Sequence, residues 1–109
     1  MPQVWSEWRI FPNPRHQGIL VAPFGPGCYE LRNGGQLVLF GQGGHVAYRM
    51  TSLLPKEWGC GTRNNQEKRD CVLKYLGRIE YRTLACDTTR EARIAERKLR
   101  SQNKYLFND

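Results

Sequence analysis

The chain has 109 residues, with 17 Lys and Arg against 10 Asp and Glu, for a formal net charge of +7. That length fits one domain with a small core. No apolar run approaches the roughly 18 residues of a membrane span, and the first residues lack the basic-then-apolar plan of an export signal. The expectation is a cytoplasmic protein with no membrane partner. Its field would draw a polyanion, although a solvated basic helix face gives the same count.

Residues 1–26 are rich in Trp, Pro and Phe and hold no sustained period. They read as an irregular arm packed on the domain of residues 27–109, with a short strand at 18–21. Burial of Trp5 and Trp8 there outweighs a stacking role on nucleic acid. Residues 27–32 and 36–40 are strand-like, and Asn33-Gly34-Gly35 between them supplies the positive-φ positions of a tight hairpin. Gly41-Gln42-Gly43-Gly44 then reads as a turn exposing backbone amides at a helix start, an arrangement that favours phosphate. Its spacing is not that of a nucleotide-binding loop, so no nucleotide cofactor is expected.

The helix after that turn spans about ten residues, with Val46, Met50, Leu53 and Leu54 at helical spacing and Pro55 as its stop. Residues 56–65 form a loop. A second helix covers 66–76, stopped by Gly77, and a strand covers 79–86, where the alternation is less clean than a one-faced strand gives. Thr88-Thr89-Arg90-Glu91 is a capping box that opens the last helix, which turns Ala92, Ala95 and Leu99 inward. The pattern predicts an α/β fold: a small antiparallel three-stranded sheet flanked by helices, in the order hairpin, helix, helix, strand, helix.

The four cysteines, Cys28, Cys60, Cys71 and Cys86, form no C-x-x-C pair. Reduced thiols that behave as small hydrophobes are expected rather than a zinc site. Among the polar residues, Glu96 lies about 40° from Ala92 and about 60° from Leu99 around its helix, at the edge of the apolar stripe. It is either a half-shielded carboxylate or a surface partner of Arg93, Lys98 or Arg100. Arg49 follows His45 by one turn on the first helix, at the margin of the hairpin, where a planar guanidinium would match phosphate oxygens.

Joint order raises these separate signals. Gly27-Cys28-Tyr29, Leu39-Phe40-Gly41, Arg49, Glu96 and Asn108 resemble the arrangement of the GIY-YIG nuclease family, over about three quarters of the chain. Leu39 stands where the family's second motif has a tyrosine, and the tail lacks the usual proline. The resemblance implies hydrolysis of DNA phosphodiesters with Mg²⁺ or Mn²⁺ held by Glu96. Arg49 would steady charge on the phosphate, Tyr29 would activate or position water, and Asn108 would brace the site. A phenol of ordinary pKa near 10 is only about 0.1 per cent ionised at pH 7, so Tyr29 needs cationic help. His45 is a second candidate, as a base or as a phosphate-binding residue at the helix start. Gln42, Arg63, Lys68 and Arg69 would border the substrate, and Arg90, Arg93, Arg97, Lys98 and Arg100 crowd the last helix. Without the second-motif phenol, a domain that binds nucleic acid and does not cut it is the alternative. Structure-directed or weakly specific cleavage suits so short a chain.

Overall fold

The computed structural model describes residues 4–12, 20–53 and 66–107. The elements are β1 (Arg9–Ile10), β2 (Gly27–Asn33), β3 (Gln36–Gly43), α1 (Val46–Met50), a 3-10 turn (Thr51–Leu53), α2 (Gln66–Lys74), β4 (Ile79–Ala85) and α3 (Thr89–Gln102). The sheet is antiparallel, in the order β1-β4-β2-β3.

Four strands replace the expected three. The fourth comes from the arm, where Arg9 and Ile10 pair with Tyr81 and Glu80 and so cover the outer edge of β4. Two residues are too few to show a period in the sequence. Ser6 continues this contact, its N–H donating to the Thr83 carbonyl at 2.8 Å while its hydroxyl accepts from the Thr83 N–H at 3.0 Å. Leu20 and Val21 are not a strand; Val21 instead brackets the buried Tyr81 hydroxyl with its N–H and carbonyl.

The sheet is covered on both faces, which explains the poor alternation of β4. On one face Tyr29, Leu31, Leu39, Ile79 and Tyr81 pack with Val46 and Met50 of α1, Leu53 of the 3-10 turn and Val72 of α2. On the other, α3 sets Ala92 on Cys28 and Leu84, and Leu99 beside Phe40 and Tyr105. Thr88 caps α3 by accepting from the Glu91 N–H at 3.2 Å, while the Glu91 carboxylate reaches back one residue further than expected, to the Asp87 N–H. Asn103 closes the helix in the left-handed region. The tail then runs along the outer edge of β3: Leu106 and Phe107 donate to the Leu37 and Val38 carbonyls at 3.1 and 2.7 Å.

A polar cluster lies inside the α3 layer. Glu30, 1% exposed, accepts from Arg82 Nε and from the Tyr105 hydroxyl. Burial first, and then this carboxylate, holds the Tyr105 phenol protonated well above its usual range. Arg82 is stacked between the arm's tryptophans, 4.7 Å from the ring centres of both Trp5 and Trp8, and Arg32 lies 4.0 Å from Trp8. The arm is thus anchored by cation–π contacts on an ion pair whose carboxylate is buried.

Cys28 lies beneath α3, its thiol donating to the Ala92 carbonyl at 3.2 Å. Burial first, then the Cys86 thiol and the Glu96 and Glu30 carboxylates, push its pKa from 9.0 up to about 12. The folded state therefore binds the proton more tightly than the unfolded one. The resulting stability is fully present below pH 9 and is lost as pH rises towards 12, at about 1.4 kcal/mol per pH unit. Urea unfolding between pH 8 and 11 should show this decline, and Cys28→Ala should lessen its slope, leaving the part that the raised Cys71, Cys86 and Tyr105 contribute.

Candidate functional site

The hairpin turn at Gly34, with φ of +62°, returns the chain so that Tyr29 faces Gly41 and Gly27 faces Gly43. β3 runs on to Gly43, so Gly41-Gln42-Gly43 is strand and not the amide-presenting turn that its composition suggests. Two side chains account for the glycines. A Cβ at Gly41 would lie 2.3 Å from the Tyr29 hydroxyl and 2.4 Å from its ring carbon Cζ. A Cβ at Gly43 would lie 3.1 Å from Arg49 Nε. The phenol of the central strand therefore leans across the edge strand, and the guanidinium from α1 lies over the same strand two residues on. That places them over positions about 7 Å apart on one face. Tyr29 is 4% exposed and Arg49 is half-buried.

Leu39, opposite Leu31, is 1% exposed in the same core. Its position is filled by packing, and a tyrosine there would force a hydroxyl into an apolar cluster. Phe40 points the other way, 4.8 Å from the Tyr105 ring.

Glu96 is set apart from this pair. It lies on α3, the helix covering the opposite face, with its side chain 19% exposed and Arg100 Nη2 at 3.3 Å from its carboxylate. Arg100 in turn lies over the Phe40 ring, 5.7 Å from its centre. Gln42 pairs with Cys28 and shares the α3 face, away from Tyr29 and Arg49. The structure thus sets Tyr29 and Arg49 over two glycines of one strand, while Glu96 and Gln42 belong to the other side of the sheet. The α3 start is brought to the end of β3, where a Cβ at Gly44 would lie 3.5 Å from Thr89 Cγ2.

His45 is the N-cap of α1: its Nδ1 accepts the Tyr48 N–H at 3.0 Å. That lone pair is committed to the cap, leaving Nε2 as the outward atom. Lys68 and Arg69 lie on α2, both half-buried. Arg63 and Asn108 are outside the described residues. No family model, curated protein or solved structure matches the chain.

Among the described residues no three His, Cys, Asp or Glu side chains group as a metal cage, and no helix is long and apolar enough to cross a membrane. A cavity of about 270 Å³ lies on the far flank of α3, between Trp5 and Leu84 on one side and Ile94, Lys98 and Leu99 on the other. It contains neither Tyr29 nor Arg49. Sequence reasoning missed the Glu30, Arg82 and Tyr105 cluster, because 75 positions separate Glu30 from Tyr105.

Proposed function

We propose that the protein is a metal-dependent DNA endonuclease of GIY-YIG type that works where β2, β3 and α1 meet. One observation carries this reading: an edge strand with two glycines that leave room for a tyrosine and an arginine side by side. Phosphodiester hydrolysis uses both groups. The guanidinium offers a planar fork to phosphate oxygens, and it stabilises negative charge as that charge develops. The phenol, fixed by a central strand, orients or deprotonates the attacking water. With Leu39 buried, Tyr29 is the one hydroxyl of the two motifs assigned this task.

The resemblance assigns Mg²⁺ or Mn²⁺ to Glu96, although α3 holds that carboxylate on the face of the sheet opposite Tyr29 and Arg49. A single half-shielded carboxylate suits a hard cation that completes its shell with water and phosphate oxygens. A metal held there would supply charge neutralisation to a phosphate on the α3 side of the sheet. The net charge of +7 and the arginines of α3 favour DNA as the polyanion.

The second reading is a domain that binds nucleic acid without cutting it. It is favoured by the position of Glu96 on the helix of the opposite face, with Arg100 on its carboxylate. Nicking of plasmid and branched DNA by the purified protein in Mg²⁺ and Mn²⁺ separates the two. Cleavage is expected, with Glu96→Gln and Tyr29→Phe each slowing it by about 100-fold or more. DNA binding with no nicking in either metal would favour the second reading. Full activity in Glu96→Gln would remove the metal assignment.

A further inference from the structure

Phe24, His45 and Tyr48 form an aromatic group on the surface. Phe24 is 80% exposed and Tyr48 52%, and His45 is exposed between them. The Phe24 and His45 rings are stacked at 5.3 Å with a 24° interplanar angle, and Tyr48 meets His45 edge-on at 6.3 Å. Packing does not explain Phe24, whose ring would gain by burial in the nearby core.

The group is held in place from both sides. The carbonyls flanking Phe24, those of Pro23 and Gly25, accept the Ala47 and Val46 N–H groups at 2.9 and 3.1 Å. His45 is fixed as the N-cap of α1. The rings therefore project from a bridge that satisfies the first free amides of the helix, and they need little ordering on contact.

Arg49 follows Tyr48 in sequence, its guanidinium over Gly43, and Gly44, which precedes His45, lies against Thr89, the residue before Arg90 at the start of α3. From these observations we infer that Phe24, His45 and Tyr48 are a stacking platform for an unpaired base of a nucleic-acid strand whose phosphates lie on the neighbouring arginines. A paired base has both faces covered by its neighbours, whereas an unpaired one offers a π-face to an aromatic ring with little regard to sequence. Charge complementarity favours a polynucleotide over an apolar peptide. This inference rests on the nucleic-acid reading above and narrows its substrate to strands with unpaired bases, such as flaps, branches and single-stranded ends.

The test is binding of a fluorescent single-stranded oligonucleotide and of a duplex of matching sequence, in EDTA so that cleavage plays no part. Phe24→Ala and Tyr48→Ala should each weaken single-strand binding about ten-fold and duplex binding less than about two-fold. Phe24→Trp, which keeps a ring, should retain the affinity. Unchanged single-strand binding, or equal losses on both DNAs, would overturn the platform. If the wild-type protein nicks DNA while these variants bind normally, the platform fails and the nuclease reading stands. If the wild type binds neither DNA at low salt, both fail.

Discussion

Arg82→Met is expected to lower the unfolding free energy by about 3 kcal/mol, the low end of the cost of breaking a buried ion pair, since Arg82 is itself about one third exposed. The loss has two parts. Glu30, 1% exposed, would be left among the described residues with the Tyr105 hydroxyl as its hydrogen-bond partner, and Trp5 and Trp8 would lose the guanidinium on which they stack. For a domain of this size the midpoint of thermal unfolding should fall by roughly 12 to 20 °C. The combination Glu30→Leu, Arg82→Met and Tyr105→Phe removes every buried polar member together, and should recover much of the loss. A midpoint within about 3 °C of wild type for Arg82→Met would mean that the arm and the buried carboxylate do not depend on this residue.

Gly41→Ala is expected to have the second large effect, on stability and activity together. The new methyl group would fall 2.3 Å from the Tyr29 hydroxyl, and Tyr29, 4% exposed, is packed in the core. Overpacking of that kind costs about 2 kcal/mol. Displacing the phenol by about 1 Å should slow cleavage about 100-fold. Gly43→Ala is the internal control: its methyl group meets Arg49 Nε at 3.1 Å, on a side chain that can shift by a few tenths of an ångström. Urea unfolding and single-turnover cleavage of the two variants should therefore diverge. Equal effects would show that the Tyr29 contact has no special weight.

Much of this fold was legible in the sequence because its signals are local. Asn33-Gly34-Gly35 between two apolar runs specified the hairpin, and Thr88 with Glu91 specified the start of α3. Where the causes are non-local, reading failed. Glycines in a row ordinarily mark a turn, yet Gly41 and Gly43 are strand residues whose small size answers to Tyr29 and Arg49, supplied by other elements. Glu30 looked like an ordinary polar strand residue, because nothing near it in sequence announces Arg82 or Tyr105. One clue was present: Leu84 interrupts the alternation of Tyr81 and Thr83 with Glu80 and Arg82, and an apolar residue on that second side fits a sheet covered on both faces. For the site, motif order grouped Tyr29, Arg49 and Glu96, and the first two side chains lie over successive glycines of β3. That α1 and α3 take opposite faces of the sheet, separating Glu96 from that pair, is a property of topology which spacing along one chain does not encode.

The most direct test of a shared role for Tyr29 and Arg49 is a double-mutant cycle on the single-turnover rate of metal-dependent DNA cleavage. Tyr29→Phe and Arg49→Ala should each slow the reaction by about 100-fold or more. If both act on one phosphate, the double variant should be little slower than the worse single one. Losses that multiply in full, or a wild-type rate in either single variant, would contradict a common site over the glycines of β3.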